Sequence, residues 1–128
     1  MILTDSDVAI DFSKGRDLKL LALLPTLPVA ACGVTRAEVL HGARTPVERQ
    51  KLLTVLSVFQ PVSIPEPLWD QVGDNLATLR AAGITVPFTD AVLATLGIHH
   101  GIEVWSRDRH FPMIQSVLPT LKLFQEPP

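Results

Sequence analysis

The stretch Met1-Ile-Leu-Thr-Asp5-Ser-Asp-Val-Ala-Ile-Asp-Phe-Ser-Lys-Gly15 decides the fold class, because its pattern changes partway along. Its start is apolar and predicts a short buried strand that ends at Asp5. A helical stretch through Val8 and Phe12 follows and stops near Lys14-Gly15. A strand that passes directly into a helix indicates an α/β unit.

The rest of the chain alternates between the same two patterns. Further helices are expected over residues 17–24, from Thr35, from Pro46, and over residues 66–82 and 87–100, and further strands over residues 28–33, 62–64, 103–106 and 120–124. This alternation favours one α/β domain over residues 1–128, with a mainly parallel central sheet of four to five strands flanked by helices in three α/β/α layers. In such sheets, active sites form beyond the carboxyl ends of the strands.

Two of the predicted helices have specific local features. The Thr35 side chain is expected to cap the first turn of its helix while Glu38 reaches back to it, as in a capping box. The segment 17–24 has leucines on nearly every side, so it is expected to be either deeply buried or covered by a partner.

Composition limits the class of protein. Hydrophobic residues make up 47% of the 128 residues, which supports a core, and no apolar run reaches the roughly 18 residues that span a bilayer. The start lacks the basic and apolar regions of a signal peptide, so we expect a cytoplasmic protein with no membrane partner. Cys32 is the one cysteine, which excludes an internal disulfide and a cysteine zinc cluster, and it is expected to be a small buried hydrophobe.

The net charge is ambiguous. At −2 it is unusual for a nucleic-acid binder, but four acids discounted as metal ligands would leave the remaining residues at +2. Charge alone therefore neither supports nor excludes a nucleic-acid partner.

Four carboxylates, Asp5, Glu38, Asp90 and Asp108, lie where a predicted strand or helix meets a loop. Asp5 follows the first strand and is equally suited to cap the next helix. Asp108 follows the strand around Val104, and a turn residue paired with a neighbouring arginine is the alternative. Both are expected at the carboxyl edge of the sheet.

Glu38 and Asp90 are harder to explain as caps. Glu38 shares a helical face with small, mostly apolar neighbours, and a carboxylate in that setting requires a partner. Asp90 has Leu93 and Gly97 at helical spacing, so it lies on the stripe that should face the core. A capping role, with Thr89 as a competitor, is the alternative.

The joint occurrence of four such acids points to a divalent cation. Like charges held close together destabilise a fold unless they are compensated, and hard oxygen ligands without thiols select Mg²⁺ or Mn²⁺. An all-carboxylate site therefore suggests phosphoryl chemistry, in which a metal activates water and neutralises charge on the attacking and leaving oxygens.

Four motifs in this order resemble those of the PIN-domain ribonucleases, and their spacing and the chain length are most similar to VapC-type toxins of toxin–antitoxin pairs. The motifs are the opening stretch quoted above, Thr35-Arg-Ala-Glu38-Val-Leu-His-Gly42, Pro87-Phe-Thr-Asp90-Ala-Val-Leu-Ala94 and Val104-Trp-Ser106-Arg-Asp108-Arg-His110-Phe111. Each motif alone is weak, whereas four in order within one small domain are fairly specific.

The resemblance implies an activity and a set of partners. Carried over position by position, it makes Asp5, Glu38, Asp90 and Asp108 the catalytic residues and the ligands of Mg²⁺ or Mn²⁺, with Ser106 as a small hydroxyl residue that supports them. It implies an endoribonuclease that hydrolyses its RNA substrate by attack of water, leaving a 3′-hydroxyl and a 5′-phosphate. It also implies a homodimer and a cognate antitoxin that covers an apolar groove.

The chain departs from the family pattern at two positions. Members often have Asn or Ser where Asp7 stands, so this extra carboxylate is expected to support the metal or to shift its position. At His110 relatives frequently have an acid, and its loss makes the pocket less negative and a second metal an open question. His110 itself is expected to be a surface histidine rather than a residue that orients phosphate.

Three basic residues lie close to the motifs. Arg107, Arg109 and Lys14 are expected to steer the RNA backbone toward the acids, with ordinary solvated charges as the alternative.

Other classes match less of the chain. Asp5-Ser-Asp7 also resembles the start of haloacid-dehalogenase-like phosphatases, but Ala9 stands where these have Thr or Val, and they are usually longer. A receiver domain needs an Asp near mid-chain, and there is none between Asp17 and Asp70. A catalytically inactive PIN-fold interaction module is a further alternative, against which the presence of all four acids argues.

Overall fold

Five parallel strands form the centre of the computed structural model, which describes residues 1–128. The strands are β1 (Ile2–Thr4), β2 (Val29–Cys32), β3 (Gln60–Val62), β4 (Glu103–Trp105) and β5 (Lys122–Leu123). They are ordered β3-β2-β1-β4-β5, and every neighbouring pair is parallel. The predicted parallel sheet of four to five strands is confirmed.

Seven helices connect and cover the strands. They are α1 (Ser6–Lys14), α2 (Leu18–Leu23), α3 (Gly33–His41), α4 (Pro46–Leu56), α5 (Leu68–Ala81), α6 (Phe88–His100) and α7 (His110–Val117), with a 3₁₀ turn over Leu24–Thr26. Helices α1–α4 contribute to one hydrophobic core and α5–α7 to a second core on the other side of the sheet. The predicted three-layer α/β/α architecture is therefore confirmed. None of the helices combines the length and apolar character needed to cross a bilayer.

Successive residues of the central strands enter opposite cores. Ile2 packs with α1–α4, whereas Leu3 packs with α5–α7, and Trp105 and Val104 of β4 divide in the same way. A parallel sheet covered on both faces needs apolar side chains at consecutive positions, which explains the unbroken apolar start of the chain. Cys32 also lies in the core, 1% exposed, as predicted.

The topology brings the predicted acids to one edge of the sheet. Thr4 of β1 lies opposite Trp105 of β4, so the residues that follow these strands leave the sheet side by side. Helix α6 precedes β4 and runs back along the sheet, which puts its first turn, with Asp90, at the same edge. Gly97 lets α6 lie close to β4, because a Cβ there would come within 2.6 Å of Val104 Cγ2.

The predicted capping box at Thr35 and Glu38 is wrong. Helix α3 begins at Gly33 directly after β2, its N-cap is Cys32, and no side chain caps it. The Thr35 hydroxyl is fully buried and donates to the Thr4 carbonyl oxygen at 3.0 Å, thereby joining α3 to β1. With no loop between strand and helix, Thr35 falls inside the first turn rather than before it.

Proline is connected with two further differences from the prediction, one shifted strand and one missed helix. The strand predicted at 62–64 lies at Gln60–Val62, because β3 is an edge strand and an edge tolerates Pro61 and its missing amide. Helix α7 was not predicted at all. Pro112 is its third residue, where the backbone amide has no partner within the helix and its absence is harmless.

The leucine-rich segment 17–24 is divided between core and surface. Leu20 and Leu24 are fully buried against the sheet, whereas Leu18 is 78% exposed. The segment is therefore covered mainly by the chain itself, with one leucine facing outward.

Candidate functional site

Asp5 is fixed at the carboxyl edge of the sheet by backbone and side chain. Its amide donates to the Trp105 carbonyl oxygen at 2.9 Å, which continues the pairing of β1 and β4. Its Oδ1 accepts from the Ser6 amide at 2.7 Å, so it does cap α1, and its Oδ2 accepts from Ser106 Oγ at 2.8 Å. Capping and a place in the acidic site are therefore compatible, since each uses a different oxygen.

Ser106 connects three of the acids. Its hydroxyl donates to Asp5 and lies 3.3 Å from Asp7 Oδ2, and its oxygen accepts from the Asp108 amide at 3.0 Å. Asp7 Oδ2 also accepts from the Arg107 amide at 2.9 Å. One small side chain thus holds the loop after β4 against the first turn of α1.

Asp90 and Asp108 meet at the side chain of His110. Neither Asp90 nor Thr89 caps α6, whose N-cap is Pro87 without a side-chain hydrogen bond, so the carboxylate of Asp90 is available to the site. The Nδ1 atom of His110 lies 3.0 Å from Asp90 Oδ2 and 2.9 Å from Asp108 Oδ1. The three groups offer ligand atoms within 4.8 Å of one another.

The expectation that His110 is a surface histidine is wrong. Its side chain is 25% exposed and lies between two acids, because α7 begins at this residue and its amide donates to Asp108 Oδ1 at 2.9 Å. The sequence signal was the spacing of the histidine two residues after Asp108. It could be interpreted only with α7 in place.

Glu38 approaches the same acids from α3. It is half-buried and borders an open groove with Ser6, Ile10, Ala37 and His41. Its negative charge raises the pKa of both Asp5 and Asp90, so its carboxylate lies close enough to interact with each. Asp5, Asp90 and Asp108 therefore lie at one edge of the sheet, and the charge of Glu38 acts on two of them from α3.

The acids carry the electrostatic signs of a crowded, buried cluster. Burial raises the pKa of Asp5, and repulsion from Asp90 and Glu38 adds to it. Burial and repulsion from Asp108 raise the pKa of Asp90 to about 6, with His110 opposing the shift. Burial and repulsion from Asp5 raise the pKa of Asp7 to about 6.

This donor set fits a hard divalent cation. Asp5 and Asp90 are only 5% and 7% exposed, and hydrogen bonds leave their mutual repulsion incompletely compensated. A bound cation would favour the charged carboxylates and so oppose both the burial and the repulsion that raise these pKa values. Asp90, Asp108 and His110 offer ligand atoms close enough together to hold one, and Asp5 and Glu38 add negative charge beside them.

Arg107 is bound to carboxylates of its own chain. Its guanidinium contacts Asp11 at 3.1 Å, Asp17 at 2.8 Å and Glu126 at 2.8 Å. These ion pairs attach the loop after β4 to the end of the chain, and the Trp105 indole also donates to Glu126. The predicted RNA contact by Arg107 would have to displace them. Arg109 is exposed directly after Asp108, whereas Lys14 is exposed at the other end of α1 from Asp5.

We expect Ser106→Ala to disturb the site more than its size suggests. Loss of the hydroxyl frees Asp5 Oδ2 and leaves the Asp108 amide without its acceptor, so metal affinity should fall about 10–100-fold, as for other residues that orient metal ligands. Titration of Mg²⁺ by calorimetry measures the change. Ser106→Thr keeps the hydroxyl and is the matched control; equal affinity of the alanine variant and the wild type would contradict this role.

Comparison with known proteins gives one family. The sequence model of the PIN domain matches residues 2–115. Ribonuclease VapC17 of Mycobacterium tuberculosis is 28% identical over 94 residues, which cover 71% of each chain.

Solved structures with the same fold include chains of VapBC toxin–antitoxin complexes. A chain of VapBC2 from Rickettsia felis, bound to promoter DNA, superposes with a TM-score of 0.80 at 18% identity, covering 97% of this chain and 98% of that one. A chain of VapBC-1 from nontypeable Haemophilus influenzae gives 0.79 at 14% identity, covering 98% of each. At this level of identity the similarity establishes the fold.

Proposed function

Because the chain belongs to the PIN domain family, we propose that it is a Mg²⁺- or Mn²⁺-dependent endoribonuclease of the VapC toxin type. The observation that carries the proposal is the meeting of Asp5, Glu38, Asp90 and Asp108 at the carboxyl edge of a parallel sheet, where such folds place active sites. The 28% identity to Ribonuclease VapC17 supports the same substrate class.

Each acid has a distinct setting in the proposed site. Asp5 is oriented by Ser6 and Ser106 and so presents a fixed carboxylate. Asp90 is buried in the first turn of α6, and Glu38 borders the open groove through which a strand of RNA could approach. A bound divalent ion would supply an activated water and would neutralise charge on the phosphodiester oxygens.

Incubation with a mixed pool of RNA tests the proposed activity. The wild type with Mg²⁺ is expected to cut RNA and to leave 5′-phosphates, which are detected by ligation that requires this end. Cleavage should stop with a chelator and return with excess Mg²⁺, and single-stranded DNA of matched sequence serves as the control. Cleavage that persists in chelator would contradict a metal-dependent site.

We further propose that a cognate antitoxin silences the enzyme, as the resemblance to toxin–antitoxin assemblies suggests. A groove of about 380 Å³ between α1, α3 and α4 is its proposed site, lined by Ile10, Val39 and Leu52, with Lys14 and Lys51 among its polar residues. Homodimerisation is part of the same proposal.

Induced expression of the chain alone should arrest bacterial growth, and expression of the Asp5→Asn variant should leave growth unchanged.

For RNA binding we expect Arg109→Ala to lower affinity and to reduce the slope of log affinity against log salt by about one. Arg109 is exposed directly after Asp108, so its charge can reach a phosphate near the acids. Lys122→Ala is the matched control, since the start of β5 lies at the opposite edge of the sheet. The measurement is binding to a non-cleavable RNA, followed by fluorescence anisotropy at several salt concentrations. A slope in Arg109→Ala equal to that of the wild type would exclude a phosphate contact by Arg109.

A further inference from the structure

We propose that the Nδ1 atom of His110 is itself a metal ligand, so that the centre has mixed nitrogen and oxygen donors and prefers Mn²⁺ over Mg²⁺. The inference rests on the proposed metal-dependent function and concerns which atoms hold the metal. It follows from where the ring lies, from the distances to its neighbours, and from the chemistry of imidazole.

The ring nitrogen stands at the place of a ligand. It lies 3.0 Å from Asp90 Oδ2 and 2.9 Å from Asp108 Oδ1, two of the four acids. Adjacent ligands of an octahedral cation with bonds of about 2.1 Å are about 3.0 Å apart. The nitrogen therefore already lies at the separation of adjacent ligands from both oxygens, and the three atoms lie within 4.8 Å of one another.

The backbone holds the ring in this position. The His110 amide donates to Asp108 Oδ1 at 2.9 Å, and the Asp108 amide donates to Ser106 Oγ at 3.0 Å. His110 is the first residue of α7, and the next residue, Phe111, is 1% exposed in the core. The histidine is thus anchored on both sides, which is the arrangement that metal ligands need.

Imidazole changes the preference of the site. Carboxylate oxygens suit Mg²⁺ and Mn²⁺ alike, whereas a neutral imidazole nitrogen favours transition metals over Mg²⁺. Mn²⁺ binds less tightly than the other first-row divalent metals but still gains from the nitrogen ligand. To bind through Nδ1 the ring must carry its proton on Nε2. A site of Asp90, Asp108 and His110 should therefore bind Mn²⁺ more tightly than Mg²⁺ by a margin that depends on the histidine.

A direct readout exists that does not depend on activity. Pulsed electron paramagnetic resonance of bound Mn²⁺ detects the nuclear spin of a directly coordinated nitrogen. We expect a ¹⁴N signal in the wild type that changes to the ¹⁵N pattern when the chain is labelled with [¹⁵N]histidine, of which it has four residues. Labelling needs no substitution, so the result does not depend on a variant that folds.

Three variants assign the signal and the metal preference to one residue. His110→Gln should lose the nitrogen signal and at least about tenfold in Mn²⁺ affinity, with a smaller loss for Mg²⁺. His100→Gln, an exposed residue at the far end of α6, should keep both. His110→Asp should keep Mg²⁺ affinity and lose the preference for Mn²⁺.

The outcomes separate this inference from the proposal beneath it. Mn²⁺ that binds without a histidine signal would overturn the role of His110 as a ligand and leave the acidic centre standing, with the ring as a hydrogen-bond partner of the two acids. A wild type that binds neither Mn²⁺ nor Mg²⁺ would overturn both.

Discussion

RNA cleavage by Asp90→Asn is expected to fall more than about a hundredfold below the wild type. Removing a residue that only orients a metal ligand already lowers metal affinity or activity about 10–100-fold, and the loss of a ligand should lower it further. Asn preserves the size of the side chain and removes the charge. Asp90 is 7% exposed and its charge interacts with those of Asp5, Glu38 and Asp108, so the substitution removes a negative charge from the middle of the acidic cluster.

The control for this loss is Asp74→Asn, which makes the same chemical change at an exposed position on α5. Rates are measured on one RNA at saturating Mg²⁺, and circular dichroism checks the fold of both variants. Wild-type rates in Asp90→Asn would show that the acid is not needed for the chemistry. A loss of equal size in Asp74→Asn would show that the assay reports stability instead.

The second large effect is on stability without metal. The pKa of Asp90 is raised from 3.8 to about 6, so the folded chain holds its proton more tightly than the unfolded chain. The associated stability is fully present below pH 3.8 and is lost as pH rises through about 6. For a residue this buried, the loss amounts to about 3 kcal/mol.

The metal-free chain should therefore unfold at a higher temperature near about pH 5 than above about pH 7. Asp7, with its pKa also raised to about 6, acts in the same direction. Glu126 acts in the opposite direction, because Arg107 lowers its pKa, but its contribution is lost only at more acidic pH. Calorimetry across this range checks the prediction.

Asp90→Asn supplies the matching test. It should be more stable than the wild type above about pH 7 without metal, and its stability should depend less on pH. Mg²⁺ should raise the unfolding temperature of the wild type at that pH and have little effect on the variant. A wild type whose stability falls as pH drops from 7 to about 5 would contradict the crowded acidic cluster.

Patterning of the chain predicted the fold well, and particular residues show why. The consecutive apolar residues of β1 and the helical spacing in α6 both follow from burial, because the spacing of apolar residues along the chain indicates which positions face the core. Burial also explains why Asp90 stood out, since a carboxylate on a core-facing stripe conflicts with its surroundings. The structure brings it together with Asp5, Glu38 and Asp108 at one edge.

What the sequence did not predict depends on contacts between distant residues. Thr35 has the local sequence of a helix cap, but its hydroxyl bonds to Thr4, which only the pairing of β1 and α3 can supply. Arg107 reaches Asp17 and Glu126, far away along the chain. No local pattern records which of several acids an arginine will meet.

The role of His110 could not be predicted for two reasons. Its importance depends on α7, which the proline at position 112 concealed, and on Asp90, which lies 20 residues earlier in the sequence. The sequence shows the spacing of two residues from Asp108 to His110. It does not show that α7 turns the His110 ring toward the acids.

The most direct test of the acidic metal centre is anomalous diffraction from crystals grown with Mn²⁺ and measured at the manganese edge. We predict a peak at the carboxyl edge of the sheet, within bonding distance of carboxylates from Asp5, Glu38, Asp90 or Asp108, and no such peak in Asp90→Asn. A peak bound elsewhere on the chain, or an equal peak in the variant, would contradict the account.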